Sequence, residues 1–135
     1  HWGHDISPEE NQYEANLDFA ISYKKNVDFV GKKALQDIRN KKLKKQFVML
    51  TLQNSEPGKP LMLHDEPIYL NGKIIGRTTS ANYSFNYKKN LAFGFVDTEN
   101  LSHLTEGNIE IEIEKIKYKA NYLTKKLNQK DYKSI

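Results

Sequence analysis

Two runs in the last third of the chain constrain its fold most. Ile109, Ile111 and Ile113 alternate with Glu110, Glu112 and Glu114, and Ile116, Tyr118, Ala120 and Tyr122 are interleaved with Lys117 and Lys119. A period of two sends alternate side chains to opposite faces of an extended strand. The first run therefore predicts a half-buried strand with isoleucines inward and an acidic outer face. The second predicts a neighbouring strand whose basic row can pair with that acidic row. Phe47-Val48-Met49-Leu50-Thr51-Leu52 and Leu91-Ala92-Phe93-Gly94-Phe95-Val96 predict two more. Ile68-Tyr69-Leu70, then Asn71-Gly72, then Lys73-Ile74-Ile75-Gly76 has the form of a hairpin with a type I′ turn, in which both central residues need positive φ. Pro57-Gly58 and Pro60 mark a loop between strands. Short strands with regular turns predict a mainly β fold, an antiparallel barrel or sandwich over 46–125.

Residues 1–45 read differently, as a small α/β segment. Ser7-Pro8-Glu9-Glu10 is a helix or turn start: Ser caps, Pro suits the first turn, and acids favour the positive end of the helix dipole. Leu17-Asp18-Phe19-Ala20-Ile21 alternates, which predicts a short strand. Gly31 opens Lys32-Lys33-Ala34-Leu35-Gln36-Asp37-Ile38-Arg39, where Ala34, Leu35 and Ile38 share one helical face. The run Lys41-Lys42-Leu43-Lys44-Lys45 then predicts an exposed basic linker, and 126–135 a frayed tail.

Composition narrows the function. The 135 residues carry 21 basic and 17 acidic side chains, a net charge of +4. Residues 46–107 are near neutral, with 5 basic and 6 acidic side chains, and only Arg39 and Arg77 are arginines. Without an Arg-rich stripe interleaved with aromatics, dedicated nucleic-acid binding is not expected. No apolar run approaches the roughly 18–20 residues that span a bilayer, so no membrane partner is expected. The chain has no Cys, which excludes thiolate metal sites and Cys nucleophiles. That absence fits a reducing compartment, and the cytoplasm is the expected location. The chain opens on His1-Trp2-Gly3-His4-Asp5-Ile6, without Met and already inside an aromatic-glycine turn, which predicts a C-terminal piece of a longer protein.

Three clusters invite a chemical reading. His1, His4 and Asp5 have ligand chemistry, yet no further His or carboxylate follows at supporting spacing, and a local turn accounts for them equally well. No metal is expected. His64-Asp65-Glu66 lies between Pro60 and Pro67, where a solvated loop is the simpler account. Arg77-Thr78-Thr79-Ser80-Ala81-Asn82-Tyr83-Ser84 contains the only Arg of the β region and a run of small donors. Two readings stay open: a functional loop on a rigid scaffold, or a β-bulge whose hydroxyls cap their own chain. No nucleophile–base–acid set and no phosphate-binding Gly loop is present, so no catalytic residue is expected within this chain.

The motifs together resemble the C-terminal part of the glycine cleavage T-protein (aminomethyltransferase) superfamily. Trp2-Gly3-His4-Asp5-Ile6, Tyr13-Glu14-Ala15-Asn16-Leu17-Asp18-Phe19-Ala20 and Asp28-Phe29-Val30-Gly31-Lys32-Lys33-Ala34-Leu35 resemble the end of its folate-binding region. Gly58-Lys59-Pro60-Leu61, Glu66-Pro67-Ile68-Tyr69, Asn71-Gly72-Lys73-Ile74-Ile75-Gly76, Thr79-Ser80 and the strand from Leu91 resemble its barrel domain. The Trp-Gly-His-Asp opening and the Glu-Pro-Ile-Tyr hairpin look most like the T-protein-like region of dimethylglycine and sarcosine dehydrogenases.

The resemblance implies a β-barrel packed beside the tail of a folate domain. It implies tetrahydrofolate as cofactor, FAD in an upstream oxidoreductase region, and a small methylated amine as substrate. The family's catalytic Asp and an anchoring Arg would lie upstream of residue 1, leaving this chain inactive alone. Trp2 stands where the family has a Tyr beside folate, and Phe19 where some members have Trp. Those two and Arg77 are the expected folate contacts. Ala81 replaces the Gly of the family's Thr-Ser-Gly signature. The superfamily also holds binding and regulatory modules without transfer chemistry, one related to tRNA modification, and that is the alternative reading.

Overall fold

A computed structural model describes residues 1–25 and 27–124. Six strands form one closed antiparallel barrel in the order β1-β4-β3-β2-β5-β6: β1 Lys45–Leu52, β2 Pro67–Leu70, β3 Lys73–Ser84, β4 Lys89–Asp97, β5 Ile109–Ile113 and β6 Ile116–Tyr122. The ring closes where Leu50, Thr51 and Leu52 of β1 pair with Tyr122, Asn121 and Ala120 of β6. The expected tail at 126–135 lies outside the described residues.

Period-two patterning holds along the barrel. Ile109, Ile111 and Ile113 are buried in a core with Val48, Leu50, Leu52, Ile68, Leu70, Ile75 and Val96, while Glu110 and Glu112 sit half-buried on the outer face. Opposite them, Glu110 faces Lys119 and Glu112 faces Lys117, the expected acidic–basic rows. Tyr69 joins that outer face: its hydroxyl donates to Glu112 at 2.8 Å, and Lys117 Nζ lies 3.7 Å from its ring centroid. The Asn71-Gly72 turn takes φ of 51° and 83°, as a type I′ hairpin requires.

One expectation needs correction, and one open alternative is decided. The strand expected over Leu17–Ile21 is a 3-10 helix at Asp18–Ala20 with no buried residue. Asn16 reverses the chain at φ 57° just before it, so the run turns away from β1 after one backbone bond, from the Phe47 amide to the Glu14 carbonyl at 2.8 Å. The lead-in is thus turns, a 3-10 turn and one helix, α1 Lys32–Arg39, on which Leu35 and Ile38 are half-buried and Ala34 is exposed. The segment Arg77–Ser84 is not a loop. It lies within β3, paired with β4 as far as Ser84 opposite Lys89, and carries a register shift between Thr78 and Ser80. The bulge reading is therefore correct for the backbone.

At Gly76 the β3 and β4 backbones come so close that a Cβ would lie 2.0 Å from the Phe95 carbonyl oxygen. No flexible side chain can yield there. Gly76→Ala is expected to destabilise the barrel by about 3 kcal/mol, the upper range for forcing extra volume into a packed site. Urea unfolding measures it, and an unchanged midpoint would contradict this strand pairing.

Candidate functional site

The lead-in docks onto the barrel through polar groups. Asp5, 8% exposed, accepts Thr79 Oγ1 at 2.6 Å and Ser80 Oγ at 2.7 Å, both on one carboxylate oxygen. In a regular strand, consecutive side chains point to opposite faces. The bulge between Thr78 and Ser80 is what aims two neighbouring hydroxyls at one acceptor. They cap the lead-in rather than their own chain. Burial pushes the Asp5 carboxyl up, and the hydrogen bonds from Thr79 and Ser80 oppose that rise by stabilising the carboxylate.

Further along the seam, Glu10 accepts the Ser7 amide and hydroxyl at 2.7 Å each and pairs with Lys45 of β1. Ser7 Oγ in turn accepts the Glu9 amide at 3.1 Å, so Ser7 does cap, but it caps a turn. Lys45 Nζ also lies 5.0 Å from the Phe95 ring centroid. Gln46 donates from Nε2 to the carbonyls of Tyr13 at 2.9 Å and Glu14 at 3.0 Å, and Asn16 donates to the Phe47 carbonyl at 2.7 Å.

These contacts border a polar cavity of about 460 Å³, whose walls include Gly3, His4 and Asp5 from the lead-in and Gly76, Arg77 and Thr79 from β3. Arg77 is exposed, and its guanidinium lies 3.1 Å from Asp65. Asp65 also meets His64 Nδ1 at 2.8 Å, and the His4 and His64 ring centroids are 6.0 Å apart. The hydrogen bond from His64 outweighs a little burial at Asp65 and, with the Arg77 charge, holds its carboxyl below the ordinary value. His64 and Asp65 are exposed, as a solvated loop requires, but Glu66 is not mere decoration: it accepts the Leu63 amide at 2.6 Å and bonds the fully buried Thr78 hydroxyl. The fold thus brings His64 beside His4, which spacing along the chain did not show. Among the described residues no three His, Asp or Glu are grouped to hold a metal.

Of the three expected folate contacts, Arg77 shares the cavity with the turn that carries Trp2, whose indole is 68% exposed. Phe19, 73% exposed, lines a separate groove of about 620 Å³ with Phe47, Met49, Phe93 and Tyr122. Asp5, Glu10 and Lys45 were not anticipated as a seam. The signal was there in Ser7-Pro8-Glu9-Glu10, a capping pattern with no helix after it.

Residues 45–127 match the family model described as glycine cleavage T-protein C-terminal barrel domain. The chain belongs to the glycine cleavage T-protein family. It is 38% identical over 113 residues to the mitochondrial dimethylglycine dehydrogenase of Rattus norvegicus, covering 84% of this chain and 12% of that protein. It is 30% identical over 133 residues to an aminomethyltransferase of Alkaliphilus metalliredigens, covering 98% of this chain and 34% of the relative. The solved glycine cleavage system aminomethyltransferase T of Bartonella henselae superposes with a TM-score of 0.74 at 21% identity, over 92% of this chain and 34% of that one, which shows the shared fold. The chain therefore spans about a third or less of the T-protein relatives it matches. No described helix is long and apolar enough to cross a membrane.

The seam titrates in acid. Glu10 is largely shielded, and although burial raises its pKa, hydrogen bonds from Lys45 and Ser7 bring it down from 4.5 to about 2. Its folded pKa is depressed, so its contribution is complete above pH 4.5 and is lost as pH falls toward 2. The loss amounts to at most about 3 kcal/mol. Trp2 is the only Trp, so its emission reports on the lead-in. Glu10→Gln should make the Trp2 emission change occur at higher pH than in the wild type. Identical acid titrations would show that Glu10 does not hold the seam.

Proposed function

We propose that this chain is the C-terminal region of a tetrahydrofolate-dependent one-carbon transfer enzyme, either a flavin-dependent dimethylglycine or sarcosine dehydrogenase-like protein or an aminomethyltransferase. The observation that carries the reading is the 38% identity to a dimethylglycine dehydrogenase over 113 residues, which extends well beyond the barrel match. In this reading an upstream folate domain is the partner of the lead-in, FAD belongs to an upstream oxidoreductase region, and the substrate is a small methylated amine in the cytoplasm.

The residues present fit folate. Trp2 offers a flat apolar face for a flat ring, Arg77 offers a guanidinium for a carboxylate, and Gly3, with nothing within 4 Å of where its Cβ would lie, leaves its part of the cavity wall open. Tetrahydrofolate, when bound, supplies the nitrogen nucleophile that takes up the one-carbon unit. This chain's part is to bind and orient: Trp2 packs the ring and Arg77 holds the acid. Phe19 contacts the cofactor only where upstream residues bridge its groove to the cavity. In this reading the residue that handles the proton of that step belongs to the upstream folate domain, so the isolated 135-residue chain is expected to give no turnover with tetrahydrofolate and dimethylglycine or sarcosine.

Trp2→Ala in the full-length protein is the direct test. A lost stacking contact of about 0.5–1.5 kcal/mol, with the burial it brings, predicts roughly three- to tenfold weaker tetrahydrofolate binding by calorimetry. Oxidation of the amine should be unchanged, because the flavin site lies elsewhere. Unchanged folate affinity with a lower melting temperature would make Trp2 structural.

A further inference from the structure

The Asp5 carboxylate is costly to bury, and an apolar side chain would pack the same spot without that cost. What the carboxylate adds is direction. Within residues 1–13 it is the only buried side chain, while His1, Trp2, Gly3 and His4 beside it are exposed. The turn closes on itself: the His1 carbonyl accepts the Asp5 amide at 2.8 Å, the Gly3 amide donates to Ile6 O at 2.7 Å, and Trp2 bridges Ile6. A closed turn with exposed walls needs an external fixed point. Asp5 supplies it through Thr79 and Ser80, in the strand segment that also carries Arg77.

Resting on the folate reading above, we infer that Asp5 is a positioning residue. Its bond to the bulge hydroxyls sets the Trp2-Gly3-His4 turn at a fixed distance from Arg77, so that one ligand meets both. Thr79 and Ser80 are the matching half of the device, and the bulge of β3 exists for their common aim. A role confined to stability would lower the melting temperature without separating the two ends of the ligand. A positioning role moves affinity and leaves the barrel intact, because the buried core lies on the other side of β3 from Asp5.

The test uses the full-length protein with Asp5→Ala, Asp5→Asn and the pair Thr79→Val with Ser80→Ala. Tetrahydrofolate affinity is read by calorimetry, and barrel stability by urea unfolding. Hydrogen bonds to a charged acceptor are stronger than those between neutral groups, so Asp5→Ala should weaken tetrahydrofolate binding at least about tenfold. Asp5→Asn, which keeps an acceptor, should recover part of that loss. Combining Asp5→Ala with the hydroxyl pair should cost no more than either alone, since both remove one contact. Wild-type affinity in Asp5→Ala, or additive losses, would overturn the inference while leaving the folate reading in place. No tetrahydrofolate binding by the wild type would overturn the folate reading, and this inference with it.

Discussion

Closure of the barrel through β1 and β6 is the constraint from which the rest of the structure follows. Only three residue pairs, Leu50–Tyr122, Thr51–Asn121 and Leu52–Ala120, join the first strand to the last. Their effect is global, because they turn an open sheet into a ring and leave only the first half of β1 without a β6 partner. The lead-in therefore finds only a short stretch of edge, not a whole strand, to pair with. It meets the barrel through side chains, caps and single backbone bonds such as the Phe47 amide to the Glu14 carbonyl at 2.8 Å.

That mode of docking explains the chemistry of the seam. An apolar interface would need a continuous hydrophobic face on both partners, and the barrel has spent its period-two apolar face on its own core. What remains for docking is the outer face and the rim, where Phe47, Phe93 and Phe95 cluster on β1 and β4 and the bonds that reach the lead-in beside them are polar. Buried polar groups must be matched, and they are: Asp5 by Thr79 and Ser80, Glu10 by Ser7 and Lys45, Gln46 by three acceptors of the lead-in. Matched polar seams fix orientation closely because a shifted docking leaves every partner unsatisfied. A binding site shared between lead-in and barrel benefits from that, since its walls come from both sides.

The parts of this arrangement legible in the sequence are those fixed by local periodicity. Ile109, Ile111 and Ile113 announce their facing, and Asn71-Gly72 announces its turn, because both signals are complete within a few residues. The β5–β6 turn was not announced: Glu114 and Lys115 take φ of 51° and 66° with no glycine or asparagine to mark them, and strand pairing imposes the conformation on them. The strand expected at Leu17–Ile21 failed for a related reason. Its alternation is real, but a strand is defined by a partner, and how much edge is open to pair is set by the barrel topology, which no local window contains. The site is less legible still. Arg77 stood out as a lone Arg, whereas Asp5 and Ser80 lie 75 positions apart and acquire a joint role only when the bulge turns one toward the other.

The separation of Trp2 from Phe19 follows from the same geometry. Both are aromatic, exposed and inherited from the folate side of the family resemblance, yet Trp2 sits on a turn pinned to the β3 bulge and Phe19 in a 3-10 turn beside β1 and β4. In the sheet order β4 lies between β1 and β3, so the two aromatics flank the same strand from different sides. The Trp2 turn and Phe19 therefore line different cavities of this chain. On the proposed folate reading, the upstream domain would have to pack over the lead-in to bring both to one cofactor. Any such segment would lie across the seam itself, which makes the orientation held by Asp5, Glu10 and Gln46 the common reference for both halves of the site.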